Sequence, residues 1–359
     1  MPRPPETLNI RPLPKNILWI GFWALVFFVI INICISQRYD GKYFDKIGFD
    51  RLTLEPSDNA VLGILDSMKR EEDKKHLVVL GDSVLWGVGV NEVEETVAGI
   101  LREEFKEDGI RVVNLAQPGS SFIDMAALAL NSYDEDNIYL YFLNPIRFDD
   151  NIALRDFGEA VRFENIVLDT FNEDRRKLEI LFGQLPDEKS RAEKVLKEIL
   201  FRLIPIYRNR DLITQSIIRM HPAITVNTLV NRVRDMRFGE IFENIPMDLE
   251  NDNKEIPERK DPESIENNPT LSHLEFVLPQ LRDKPNIFFV IQDDNWFRRT
   301  WVQNQNIRRL EGLIDSDRML NLYKTVDSSL YYDRTHLNEG GQREVAQAVI
   351  DFLSKFNVP

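Results

Sequence analysis

Apolar residues along this chain fall into three patterns. The first is an unbroken run: the 22 residues from Asn16 to Gln37 carry no charge. As a helix rising about 1.5 Å per residue, that run reaches about 33 Å, close to the thickness of a bilayer's hydrocarbon core. The second is a set of short apolar blocks at 76–80, 110–115, 138–143 and 286–291, which predict buried parallel strands. The third is helical spacing between and after these blocks. Val97, Ile100, Leu101 and Phe105 form one stripe, an Ala-rich stretch covers 124–130, and Val345, Val349, Phe352, Leu353 and Phe356 form another stripe. Alternating strands and helices predict an α/β domain whose parallel sheet is covered on both faces.

Between the third and fourth blocks the pattern turns helical again, over 177–182, 192–204 and 212–236, with Val195, Ile199, Leu200 and Leu203 at helical spacing. These read as helices packing on the sheet or on each other, with a lid or a bilayer-resting surface as the sharper alternative. The 24 residues of 246–269 hold eight acidic residues, three basic ones and four prolines, which predicts a solvated loop. The expected organisation is a tail (1–15), an anchor (16–37), a linker (38–75) and a domain (76–359). That domain contains a helical insertion (150–245) and the acidic loop (246–269).

Charge refines this picture. The chain has 359 residues with 45 Lys and Arg against 59 Asp and Glu, a net charge of −14, which argues against nucleic acid as a partner. The tail alone is positive, with Arg3, Arg11 and Lys15 against Glu6. A basic tail predicts a cytoplasmic N-terminus, a single membrane pass and an extracytoplasmic domain. Arg38, Lys42, Lys46 and Arg51 pull the other way, but long domains translocate largely regardless of charge. A cleaved signal peptide fits poorly, since the apolar run is too long and no A-x-A-like site follows it. One cysteine, Cys34, excludes an intramolecular disulfide and a Cys-built zinc site.

Candidate chemistry sits at the ends of the predicted strands, where open α/β sheets bind ligands. The first strand runs into Gly81-Asp82-Ser83, a tight turn that exposes a hydroxyl and presents backbone N–H groups to developing negative charge. The plain alternative is an N-cap serine. A dinucleotide loop fails because Gly87 and Gly89 lack the third glycine, and no Gly-Lys-Ser/Thr marks a phosphate loop. A serine nucleophile needs a base, most often histidine. Of four histidines, His76 begins the first strand, at the wrong end of the sheet, and His221 and His273 fall in stretches read as helical and peripheral. His336 precedes the terminal helix, with Asp333 three residues earlier to fix its tautomer and stabilise the imidazolium. Asp149-Asp150 and Asp293-Asp294 read as solvated turns rather than a divalent-metal site.

Four blocks together resemble the SGNH hydrolases of the GDSL esterase/lipase superfamily, over 77–144 and 287–352. Gly81-Asp82-Ser83 resembles the first block, Asn114-Leu115-Ala116-Gln117-Pro118-Gly119 the second, Asn144 the third and Asp333-x-x-His336 the last. The resemblance implies a three-layer α/β/α flavodoxin-like fold and hydrolysis or transfer of acyl esters without a cofactor. Ser83 would be the nucleophile and His336 with Asp333 the base. The Ser83 N–H, the Gly119 N–H and the Asn144 amide would form the oxyanion hole. The third block departs from the family's Gly-x-Asn-Asp, reading Phe142-Leu143-Asn144-Pro145, which puts a ring near the pocket and removes a backbone donor. The expected substrate is a small-molecule or glycan acyl ester. Acyl transfer to a cell-envelope polysaccharide, or a silent binding module, are the rival expectations.

Overall fold

The computed structural model describes residues 15–39, 58–71, 73–90, 92–144, 160–183, 185, 200, 203–208, 269–292, 301–333 and 335–356. The strands are β1 (His76–Leu80), β2 (Arg111–Asn114), β3 (Ile138–Leu143), β4 (Ile287–Ile291) and β5 (Met319–Asn321). They form one parallel sheet in the order β2-β1-β3-β4-β5. Val78 of β1 lies between Val113 and Tyr139, and Phe289 of β4 between Tyr141 and Met319. This is the flavodoxin-like doubly wound order. Since β2 flanks β1 on one side and β3 on the other, the winding reverses at β1. Crevices form at such a switch point, beyond the carboxyl ends of the strands.

The helices are α1 (Lys15–Tyr39), α2 (Asp58–Arg70), α3 (Ser83–Trp86), α4 (Val97–Glu104), α5 (Phe122–Ser132) and α6 (Glu164–Thr170), then α7 (Arg175–Phe182), α8 (Pro205–Arg208), α9 (Pro269–Arg282), α10 (Trp301–Leu313) and α11 (Glu339–Leu353). Alternation along each strand sorts its side chains into two cores. Ile138, Leu140 and Phe142 of β3 join Val97, Leu101, Val345 and Val349, so α4 and α11 cover that face. Tyr139, Tyr141 and Leu143 join Ile64, Ala126, Ile166, Leu274 and Leu310, so α2, α5, α6, α9 and α10 cover the other. Each such residue contributes about 1.5–3 kcal/mol by leaving water. The buried hydroxyls of Tyr139 and Tyr141 are satisfied, donating to the carbonyls of Ser132 and Phe122.

Three features differ from the sequence reading. The span 38–75, expected as a linker, contains α2, whose Val61, Ile64, Leu65 and Met68 recur at helical spacing and are buried in the core. β5 was not expected; Met319–Asn321 is three half-buried residues, too short to give a pattern. His273, expected to be peripheral, is buried in α9 beside the ring of Phe182. Several expectations lie outside the described residues: the tail 1–14, Pro145, both aspartate pairs, His221, Val195, Ile199 and the acidic loop up to 268.

α1 is long and apolar enough to cross a membrane, with a mean hydropathy of 2.3 over Trp19–Gln37 and most of its side chains facing away from the protein. Ile35 packs against the core, and Asn32 is buried. Its amide donates to the Phe28 carbonyl (2.8 Å), and its side-chain oxygen accepts the Ile206 N–H of α8 (3.0 Å).

Candidate active site

The turn after β1 is built by its neighbours. Gly81 has no room for a side chain, because a Cβ there would lie 2.9 Å from Cβ and Cγ of Leu85. Asp82 caps α3 by accepting the Val84 N–H (3.0 Å), which sets Ser83 as the first helical residue, at the switch point. Gln342 of α11 ties this turn to the far end of the chain. Its amide donates to the Val84 carbonyl, and its oxygen accepts the Val97 N–H, both at 3.0 Å.

The loop before α11 closes as a small antiparallel turn, with Tyr331 bridged to Leu337 and the Tyr332 N–H donating to the His336 carbonyl (2.7 Å). Inside it, Oδ1 of Asp333 accepts the backbone N–H groups of Thr335 (2.8 Å) and His336 (2.7 Å). Oδ2 lies 2.7 Å from Nδ1 of His336. A carboxylate only accepts, so the ring proton sits on Nδ1 and the Nε2 lone pair is free to accept. Nε2 lies 2.9 Å from Oγ of Ser83, so the hydroxyl donates to the ring. Burial pushes the Asp333 carboxyl up, but hydrogen bonds and charge attraction from His336, with the loop N–H groups, outweigh it and hold the group below the usual carboxylate range. Ser83, His336 and Asp333 thus form one continuous relay across 253 residues of sequence.

The remaining expected residues lie on the same rim. β2 ends at Asn114, and the following Gln117 N–H donates to the Gly81 carbonyl (3.1 Å), fastening the second loop to the serine turn. Gly119 in that loop has φ +82°, a left-handed backbone that favours glycine. Asn144, just past β3, is buried, and its amide donates to Oδ2 of Asp82 (2.7 Å). Among the described residues, neither the Ser83 N–H nor the Gly119 N–H has an acceptor. Phe142 lies in the core on the α4 and α11 side, with its Cβ 3.5 Å from where a Cβ on Gly81 would stand. Its side chain on β3 faces opposite to those of Tyr141 and Leu143, as strand alternation requires.

Two residues escaped the sequence reading. Gln292 follows β4 beside Asn144, is buried, and gives its N–H to the Leu143 carbonyl (2.9 Å). Its position at a strand end was the available signal. Arg162 lies in the span read as an insertion, and its guanidinium packs on Gly119; only the folded chain brings them together. The other two described histidines are elsewhere. His76 is at the opposite end of β1, and His273 is among the helices of the other core. Among the described residues no cluster of His, Cys, Asp and Glu has the makings of a metal site.

No protein-family model matches the chain, and no curated protein matches it. Among solved structures it is similar to the lipase Lip_vut3 from a goat rumen metagenome, at 11% identity over 78% of this chain and 97% of that one, with a TM-score of 0.33. It is also similar to a two-domain esterase (CEX) active on acetylated mannans, at 10% identity over 85% and 55% of the chains, with a TM-score of 0.31. Similarity this remote fixes no function.

Proposed function

We propose that this chain is a membrane-anchored serine ester hydrolase of the SGNH type. The observation that carries the reading is the relay in which Asp333 holds His336 and His336 receives the Ser83 hydroxyl, at 2.7 and 2.9 Å. In this reading Ser83 Oγ attacks an acyl carbonyl while His336 takes its proton and Asp333 stabilises the imidazolium. The tetrahedral oxyanion is received by the Ser83 and Gly119 N–H groups and the Asn144 amide, which Asp82 orients. His336 then protonates the departing alcohol, leaving an acyl group on Ser83. Water attacks the acyl-enzyme, gives its proton to His336, and releases the acid as Ser83 regains its own. No step needs a cofactor. The basic tail favours a cytoplasmic N-terminus, with the anchor at 16–37 and the catalytic domain in the extracytoplasmic cell envelope.

The full chain in detergent micelles is expected to hydrolyse p-nitrophenyl acetate, with Ser83→Ala inactive. Folded protein without turnover would favour a silent binding module. Acetyl transfer to an added oligosaccharide that outpaces hydrolysis would replace water with a sugar hydroxyl as the acceptor, making the protein an O-acyltransferase with the same residues.

A further inference from the structure

Arg162 stands where a cation has consequences. A Cβ on Gly119 would lie 2.7 Å from its Nη2, 3.0 Å from its Nε and 3.3 Å from its Cζ, so the guanidinium packs on the open side of that glycine. Gly119 is therefore constrained twice, by its left-handed backbone and by the group resting on it.

The backbone beneath the arginine is clamped. Asp124, fully buried in the first turn of α5, accepts the N–H groups of Arg162 (3.0 and 3.2 Å) and Phe163 (3.0 Å). The same carboxylate accepts the Ser121 N–H (2.9 Å) and hydroxyl (2.8 Å), two residues after Gly119. One buried group thus fixes the Gly119 loop and the Arg162 segment together. The guanidinium itself is exposed and, among the described residues, has no carboxylate partner. That sets it apart from Arg309, Arg111, Arg343 and Arg318, which pair with Glu275, Glu71, Glu95 and Asp315 at 2.5, 2.7, 2.9 and 3.0 Å. In a chain of net charge −14, an arginine beside a candidate oxyanion donor, whose guanidinium has no carboxylate partner among the described residues, is available to a ligand's anion.

We infer that Arg162 determines specificity by receiving a negative charge on the substrate close to the scissile ester, so that the preferred substrates are anionic acyl esters. A planar fork of N–H donors suits a carboxylate or a phosphate equally, and either forms paired, charge-assisted hydrogen bonds with it. Asp124 is the positioning residue behind it. The inference rests on the ester-hydrolase reading of Ser83.

The test uses the full chain in detergent and three acetyl esters: neutral methyl 4-acetoxybenzoate, the carboxylate 4-acetoxybenzoate and 4-acetoxyphenyl phosphate. The quantity read is kcat/KM for each anionic ester divided by that for the neutral one. Arg162→Gln is expected to lower this ratio about tenfold, the scale of one charge-assisted pair, with Arg162→Lys in between. In wild type the ratio should shrink as NaCl is raised. The anion whose ratio falls further is the one the site is built for. A ratio unchanged in Arg162→Gln overturns the inference, as does an equal fall for all three esters, which would make the guanidinium an oxyanion donor. Fluorophosphonate labelling of Ser83 in each variant reports whether the relay is intact. Wild type that is neither labelled nor active on any ester defeats the hydrolase reading itself. Labelled, active wild type with no dependence on Arg162 defeats this inference alone.

Discussion

A histidine–carboxylate pair stands near each end of β1, and the two differ in what the ring's second nitrogen meets. At its start, His76 is buried, with Nδ1 3.2 Å from the Asn137 side-chain oxygen and Nε2 3.4 Å from Glu71, while Glu71 also binds Arg111 at 2.7 Å. Burial lowers its pKa, with Glu71 and Asn137 opposing. Beyond its carboxyl end, His336 makes a 2.7 Å contact to Asp333 and a 2.9 Å contact to a serine hydroxyl. Both rings meet an acid. At the first end the contacts are long and the acid is shared with an arginine, so the network braces a strand start. At the second, one nitrogen is held tightly and the other meets the Ser83 hydroxyl, at the sheet's switch point. In the proposed reading, the second nitrogen's partner is what separates the two pairs.

The largest effect expected from breaking this contrast is on turnover. Ser83→Ala or His336→Ala should each reduce kcat by about 10⁴-fold or more, as loss of a relay member does, in p-nitrophenyl acetate assays. His76→Ala should leave the rate of Ser83 acylation within about threefold, while costing about 1–3 kcal/mol of stability through its stranded buried partners. Equal kinetic losses at both ends would erase the distinction. Asp333→Asn comes next, at about 10⁴-fold in kcat, because an amide cannot accept from both the ring and the loop N–H groups in the same way. Asn144→Ala should cost about 10²–10³-fold in kcat, or about 3–4 kcal/mol of transition-state stabilisation. Unchanged kcat and KM would make Asn144 a partner of Asp82 only.

The last effect leaves turnover untouched: it is thermodynamic and concerns a third histidine. His273 is buried and, among the described residues, has no carboxylate partner; burial lowers its pKa to about 4. The unfolded chain takes up that proton near pH 6.5, so it binds more protons than the folded protein between about 6.5 and 4. Stability is full above that window and falls as pH drops through it, by about 3 kcal/mol. Denaturant melts at pH 7 and pH 5 should show about 2 kcal/mol of that loss in wild type and a flatter dependence in His273→Leu.

What was legible in the sequence follows from how local each signal is. The runs at 76–80, 138–143 and 287–291 announced strands because parallel strands are apolar on both faces. Ser83, Asp333 and His336 were readable because each sits in a short motif beside a predicted strand end or helix start. α2 was also written in the chain, in the spacing of Val61, Ile64, Leu65 and Met68, but polar flanks hid it. β5 and Arg162 had no local signature. Three residues give no periodicity, and the contact of Arg162 with Gly119 exists only once Asp124 draws two distant segments together.

The most direct test is active-site titration of the full chain with a fluorophosphonate, followed by peptide mapping. The account predicts a single adduct on Ser83, formed at least about 10³-fold more slowly when His336 is alanine. A folded protein that takes no label, or takes it on another residue, would contradict it.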